Sequence, residues 1–295
     1  MPNDLDVLTD NIRGRIEHIK DLPAMPEMAT KVLRLKSQEN ATVEQLVSIV
    51  ALDPALAAQI IHFANSPLYG QRSVDSITDA IQRVLGFDRV INFVVGVVAG
   101  QAFTIPNDGP IGLKALWKDA VYGATLMEML ARAVPKGVPV YSGICYLSGL
   151  LRNFGILLLG HLFPKDFRPL SNAIESTPDT PIIEIEKQLL GTDHRELGVW
   201  LMRKWGMAPE VIITAYEHHN ENYRGQHAIY ANLAFVAGGM LKKYSIGDAA
   251  SDEIPEKLLE MVGLNNAIIQ QIEEEFNETH NSLDVLINSL LKKAA

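Results

Sequence analysis

The side chains best placed to do chemistry lie within the most apolar long run of the chain, residues 144–163. Arg152 and Asn153 stand at its centre. An unpaired buried polar group costs about 1–3 kcal/mol, so we expect both side chains to have buried partners. An arginine in such a place suits an internal ion pair as well as an anion-binding site. The residues alone leave both interpretations open.

Three histidines form a second candidate group. His194 follows Asp193, which fits a helix N-cap, and His218 and His219 are adjacent near the end of a predicted helix. Neutral imidazole is a frequent ligand of divalent metal ions, so these residues are candidates for metal or ligand binding. The simpler interpretation is structural. In that interpretation His194 is exposed on a first helical turn, and the helix dipole stabilises His218 and His219 near the helix C-terminus.

No other catalytic pattern competes with these two groups. The chain has no glycine-rich phosphate loop and no serine in a nucleophile-elbow context. The single cysteine, Cys145, is typical of a packed apolar side chain, and it excludes a disulfide within the chain. The acidic run at 273–275 is typical of a solvated helix face.

Charge and composition exclude several classes of partner. The net charge of −9, without a basic cluster, argues against binding to nucleic acid or to a membrane surface. Residues 144–163 are long enough to span a bilayer, but a central arginine costs roughly 2.5–3.5 kcal/mol on insertion scales. We therefore expect a buried central helix instead. One cysteine and an acidic, polar N-terminus favour a cytoplasmic location.

Helical periodicity dominates the chain, which predicts an all-α fold. The first amphipathic helix is predicted at 5–19, and residues 105–112, rich in proline and glycine, form the best domain boundary. Residues 247–255 are interpreted as a polar linker before two final helices. The predicted division is an N-terminal helical subdomain at 1–108, a helical core at 109–246 and a C-terminal helical extension at 247–295.

Several spaced motifs carry a family resemblance. They are LPAMPEMATKVL at 22–33, DPALAAQIIHFANSPLYG at 53–70 and ITDAIQRVLGFDRVINFV at 77–94. Together they resemble the N-terminal half of the HDOD family, the HD-related output domains of bacterial signalling proteins. The following run, 117–232, resembles the helical core of the HD-superfamily metal-dependent phosphohydrolases. The resemblance implies an N-terminal helical bundle followed by an HD-like helical bundle.

The resemblance also implies where a metal site would lie. The positions that hold the ion in metal-dependent relatives correspond here to Asp119, Arg152, Asn153 and Asn232. Histidines that complete a second metal site in some members correspond to His194 and to His218 or His219. Arginine has no lone pair to donate to an ion, and asparagine is a weak neutral donor. We therefore expect the ancestral metal site to be lost and Arg152 to pair with Asp119 or a glutamate.

Three functional hypotheses follow. The first is a non-catalytic signalling module, with no catalytic residues, metal or cofactor, whose cleft between the bundles binds a signalling protein or a small anion through Arg152. The alternative is a residual metal-dependent phosphohydrolase. In it, one divalent ion would be held in a displaced site, for which the candidate ligands are Asp119, His194, His218 and His219. A third hypothesis is a scaffold that forms a homodimer through its C-terminal helices.

Overall fold

The computed structural model describes residues 22–70 and 73–294, and all regular secondary structure in these ranges is helical. The all-α prediction is confirmed. The predicted helix at 5–19 lies outside the described residues. Helices are numbered below in chain order within the described part.

The N-terminal bundle contains short helices whose starts follow from local capping. Thr42 and Gln45 form a reciprocal capping box, with the Thr42 amide donating to Gln45 Oε1 at 2.9 Å. Asp53 caps the next helix and Pro54 occupies its first position. The helices are α1 (Glu27–Lys36), α2 (Val43–Val50), α3 (Pro54–Ala64), α4 (Ile77–Asp79), which continues as a π-helix (Ala80–Leu85), and α5 (Phe87–Gly100).

The remaining helices form the core and the C-terminal extension. They are α6 (Leu113–Ala133), α7 (Ser142–Leu151), α8 (Phe154–Leu162), α9 (Pro164–Ser176), α10 (Ile182–Leu190), α11 (His194–Lys204), α12 (Pro209–Glu217), α13 (Ala228–Lys242), α14 (Glu256–Met261) and α15 (Asn266–Ala294). The buried apolar side chains form one cluster that runs from the N-terminal bundle into α15. The predicted division into domains stays a prediction.

The central apolar run differs from the sequence-based expectation. A single helix over 144–163 was wrong, because α7 ends at Leu151 and α8 begins at Phe154. The backbone leaves helical geometry at Asn153 (φ −101°, ψ 15°). This turn lets the consecutive side chains of Arg152 and Asn153 reach the same carboxylate on α6. The helix break is therefore what brings the two polar side chains to one partner.

Within the described residues, one stretch, Ser142–Leu162, is long and apolar enough by composition to cross a membrane. In its most apolar window, 89% of the residues are buried inside the protein. A core segment of a helical protein meets the same criterion, so this finding is weak evidence for a membrane span.

The segments after α8 are also helical. Helix α9 begins directly at Pro164 and continues to Ser176. The N–H group of the first helical residue has no acceptor within the helix, so its absence in proline costs no hydrogen bond. Proline therefore begins this helix and does not interrupt it. The C-terminal helix α15 packs on its own chain against α6 and α3. Dimerisation through the C-terminal helices stays a prediction.

Candidate ligand and metal site

Arg152 lies in the interior, with 1% of its surface exposed, and forms an ion pair with Asp119. Its second terminal nitrogen donates to the Gly149 carbonyl at 3.2 Å. The Asn153 amide donates to the other oxygen of Asp119 at 3.0 Å. We call Asp119, Arg152 and Asn153 the arginine triad. The pair between Arg152 and Asp119 that the sequence led us to expect is thus present.

The room for Arg152 comes from a glycine on the facing helix. A Cβ on Gly123 would overlap the guanidinium of Arg152. Burial, together with the nearby Asp248 carboxylate, raises the pKa of Asp119 to about 6, even though Arg152 opposes this shift. Both oxygens of Asp119 are engaged, so this carboxylate acts as the counter-ion of Arg152.

The histidines meet beside the arginine triad. Four side chains there have one ligand atom each, and these atoms all lie within 4.8 Å of one another. We call them the ligand cluster: His194, His218, His219 and Asp248. The Asp248 Oδ2 atom is 3.4 Å from His194 Nε2, 3.6 Å from His218 Nε2 and 3.0 Å from His219 Nε2. Three imidazole nitrogens therefore converge on one carboxylate oxygen.

The opposite ring nitrogens are held by other partners. His194 Nδ1 lies 2.7 Å from Glu186 Oε2, and His218 Nδ1 lies 3.1 Å from the carbonyls of Thr214 and Ala215. A carbonyl or carboxylate only accepts, so we assign the proton to Nδ1 in both rings. Their Nε2 atoms are buried and make no hydrogen bond with the described residues. When both rings are neutral, this leaves two lone pairs directed into the cluster.

These residues fit a divalent metal ion. A histidine that ligates a metal usually donates its other ring N–H to a carboxylate or a backbone carbonyl, as both buried imidazoles do here. Three imidazoles with one carboxylate form a donor set suited to zinc, iron or manganese. The two unpaired Nε2 atoms are otherwise costly, since an unsatisfied buried polar group costs about 1–3 kcal/mol.

The electrostatics differ among the cluster members. Burial disfavours a charged imidazole, yet the Glu186 and Asp248 carboxylates outweigh it and raise the pKa of His194 to about 8. Burial and the adjacent His219 lower the pKa of His218 to about 3. Although burial opposes it, the histidines hold the pKa of Asp248 well below its usual range. The cluster thus offers a neutral imidazole at His218 and a carboxylate at Asp248, whereas His194 must release a proton when an ion binds.

Local structure fixes each histidine in place. His194 is the first residue of α11, after the Asp193 cap, which accepts from the Arg195 and Glu196 amides. His218 ends α12, and His219 follows it. Gly155 at the start of α8 lies so close to His194 that a Cβ there would overlap the His194 carbonyl. The contact between α8 and the start of α11 therefore determines how deeply the His194 side chain is buried.

We expect Gly155→Ala to disturb the cluster through this contact. The added methyl group must push α8 and α11 apart, and overpacking of this kind typically costs about 1–3 kcal/mol. Chemical denaturation measures the loss, with Gly198→Ala on α11 as the control, because its added Cβ would make only ordinary contacts, at 3.7 Å or more. Equal stabilities for the two variants would contradict the proposed close contact.

A cavity of about 790 Å³ opens beside the ligand cluster. Arg152, His218, His219 and Asp248 contribute to its lining. Exposed glutamates occur around it, at Glu184, Glu221 and Glu253. A smaller cavity of about 100 Å³ touches Asp119 and Asn153, and the segment 248–250 lines both cavities. The acidic surroundings favour the approach of cations.

The structure separates the residues that the sequence had grouped. Asp119 was a candidate ligand beside the histidines, but it lies in the arginine triad, and Asp248 takes its place in the ligand cluster. Asn232 is buried on α13, with an Oδ1 atom that makes no hydrogen bond with the described residues. The interpretation of His194 as exposed was wrong, since 0% of its surface is accessible. The physical reason is the packing of its helix start beneath α8.

Two residues of the site were missed at the sequence level. Asp248 lies in the segment interpreted as a polar linker, 29 positions after His219. Glu186 occurs on α10, eight positions before the histidine that it contacts. A Gly-Asp pair in a polar loop carries no distinctive signal, so spacing alone had no means of selecting Asp248.

The comparison with protein families gives a match to the HDOD domain over residues 22–221. This chain belongs to the HDOD family. The family assignment based on the sequence motifs is thereby confirmed. The comparison with curated proteins gives no match.

Solved structures show the same fold. A protein of Marinobacter aquaeolei VT8, provisionally named a signal transduction protein, is 30% identical with a TM-score of 0.82, and the match covers 98% of this chain and 66% of that one. This HDOD chain thus spans about two thirds of that relative. An HDOD domain protein of unknown function from Geobacter sulfurreducens is 18% identical with a TM-score of 0.70, covering 97% and 98%. A provisionally named metal-dependent phosphohydrolase of Shewanella amazonensis SB2B is 19% identical with a TM-score of 0.66, covering 98% and 100%. The last two show the fold alone.

The HDOD motifs themselves meet where the two bundles join. The Arg89 guanidinium lies 5.0 Å from the centre of the Tyr69 ring, and its Nε donates to Glu128 at 2.7 Å. Glu128 lies on α6 and also pairs with Arg132 at 3.0 Å. The motif residues Arg89 and Tyr69 thus attach the N-terminal bundle to the core, a structural role distinct from that of the ligand cluster.

Proposed function

We propose that this HDOD protein is a non-catalytic signal-transduction module that binds one divalent metal ion in the ligand cluster. The observation that carries the proposal is the pair of buried imidazole Nε2 atoms, on His194 and His218, that have no hydrogen-bond partner and converge on Asp248. The expectation of no metal depended on Arg152 and Asn153. Those residues are engaged with Asp119, outside the cluster.

Two features support a role without catalysis. Four protein ligands complete a tetrahedral shell, whereas a catalytic zinc site keeps one position open for water. Two of the positions that would hold the ion in metal-dependent relatives are Arg152 and Asn153 here, and both side chains bind Asp119. A signalling protein or a small anion remains the proposed partner, and a bound cation would add the positive charge that an anion requires in an acidic cavity.

Metal analysis of the purified protein tests this proposal. We expect about one equivalent of zinc, iron or manganese to survive dialysis and His194→Ala to lose it, while His62→Ala on α3 keeps it. Hydrolysis of a generic phosphodiester and of cyclic dinucleotides, with added manganese or iron, should stay at background. Failure of the wild type to retain any of these metals would refute metal binding.

A residual phosphohydrolase is the second candidate. The observation in its favour is the cavity of about 790 Å³, which reaches both the ligand cluster and Arg152 and could admit a phosphoester. A divalent ion, when bound, supplies Lewis acidity and lowers the pKa of a coordinated water. The chain's own residues would orient the substrate through Arg152. Metal-dependent turnover that His194→Ala abolishes would favour this candidate over the first.

A further inference from the structure

The segment 245–253, which we call the strap, links α13 to α14 and supplies Asp248. His194 lies at the start of α11, and His218 and His219 lie at the end of α12. Asp248 is therefore the one member of the ligand cluster that lies in a connecting segment and not directly at a helix end. Its position depends on what holds the strap.

The strap has few backbone attachments. Among the described residues, 247–254 make no backbone–backbone hydrogen bond with the rest of the protein. Ser245 and Gly247 have positive φ angles of 56° and 80°, a conformation that favours glycine. Gly247 lies against the arginine triad, where a Cβ would be 2.5 Å from Asp119 Oδ1. The strap is thus held mainly by side-chain packing at Ile246 and Ala249, by the close Gly247 contact and by the Asp248 side chain.

The Asp248 carboxylate has one short contact and two longer contacts with the histidines. Its one hydrogen bond to a histidine is with His219, at 3.0 Å. The Nε2 atoms of His194 and His218 are 3.4 and 3.6 Å away. A cation shared by these atoms would bind Asp248 to both helices, in addition to the single hydrogen bond.

The strap is also connected to the C-terminal helix. Lys243 and Tyr244 directly precede it, and both contact α15. Lys243 forms an ion pair with Glu273, and the Tyr244 hydroxyl donates to Asn277 at 2.7 Å. Farther along α15, further hydrogen bonds reach the rest of the fold. The Tyr122 hydroxyl bonds to Asp284 at 2.8 Å and to the His280 carbonyl at 3.3 Å, and Ser66 bonds with Ser282 at 2.7 Å.

We infer that the strap couples metal occupancy of the ligand cluster to the C-terminal helix α15. The inference rests on the proposed metal binding. With the ion bound, Asp248 holds the strap against the histidines and the arginine triad. Lys243 and Tyr244 then keep their contacts with Glu273 and Asn277 on α15. Without the ion, the strap loosens and α15 loses this support. Helix α15 contacts both α6 of the core and α3 of the N-terminal bundle, so its stability then depends on whether the ligand cluster holds an ion.

Hydrogen–deuterium exchange of the full chain tests the coupling. Exchange is followed by mass spectrometry in excess chelator and at saturating zinc, and bound zinc is measured in the same samples. We expect zinc to slow exchange in the strap and in α15 by about tenfold or more, as local opening is suppressed. In Asp248→Ala, zinc still binds through the three histidines at higher concentration, but neither segment slows. Asp248→Asn, which keeps the side-chain size, should behave like Asp248→Ala.

A second variant separates the strap from the helix. In Lys243→Ala/Tyr244→Phe we expect zinc to slow exchange in the strap but no longer in α15. Tyr223→Phe is the matched control, since its hydroxyl bonds to the Gln226 carbonyl away from α15, and it should respond like the wild type.

The outcomes distinguish the coupling from the metal site itself. Zinc that saturates the wild type without slowing exchange in the strap, or an Asp248→Ala variant that responds like the wild type, overturns the coupling and leaves metal binding standing. A wild type that binds no zinc overturns the proposed metal-binding function, and the coupling with it.

Discussion

Arg152→Ala is expected to lower the free energy of unfolding by about 3–5 kcal/mol, because it leaves the Asp119 carboxylate buried without its counter-ion. Asp119 and Arg152 are 2% and 1% exposed, so water does not replace the lost partner. The loss also empties the space that Gly123 leaves for the guanidinium. Urea denaturation at neutral pH, followed by far-UV circular dichroism, measures the change.

The control for this prediction is Arg203→Ala, an exposed arginine on α11, which should change stability by less than about 0.5 kcal/mol. The double variant Asp119→Leu/Arg152→Met removes both charges. It should be far more stable than Arg152→Ala, because replacing a whole buried pair by apolar groups is often neutral or stabilising. If Arg152→Ala proved as mild as Arg203→Ala, the triad would have no role in holding the core.

Removal of the metal ion is expected to lower the melting temperature of the wild type by about 5–10 °C. A ligand present at 100 times its dissociation constant stabilises the native state by about 2.7 kcal/mol, and each kcal/mol shifts the melting temperature of a chain of this size by about 2–4 °C. Thermal unfolding with excess chelator, compared with added zinc, measures the shift.

The quantity to compare between variants is the zinc-induced shift in melting temperature, because His218→Ala also changes the melting temperature of the metal-free protein. We expect the shift to vanish in His218→Ala, which loses a neutral buried ligand, and to persist in His62→Ala. A wild-type melting temperature that is the same in chelator and in zinc would contradict an ion in the cluster. A shift that survives in His218→Ala would place the ion elsewhere.

Much of the local structure could be predicted from the sequence because it depends on near neighbours. The capping box at Thr42 and the Asp53–Pro54 helix start are examples, and both are present. The HDOD motifs could also be recognised from the sequence, because they are short and occur in a fixed order. The pairing of Arg152 with Asp119 followed from a physical argument, that a buried cation must find a carboxylate.

The central helix shows why that reasoning has a limit. Its apolar run predicted one continuous helix, but the hydrogen bonds of Arg152 and Asn153 to a carboxylate on α6 accompany a break after Leu151. A contact with a residue 33 positions away has no signature in the periodicity of the run itself. The same reason explains the wrong expectation that His194 would be exposed.

The sequence by itself determined the all-helical class and the HDOD family, because these depend on periodicity and motif order. Only the tertiary structure decided that the three histidines meet Asp248 instead of Asp119. That choice depends on the path of a loop after α13, fixed by the fit of Gly247 against the arginine triad, and packing of this kind joins residues that no local pattern connects.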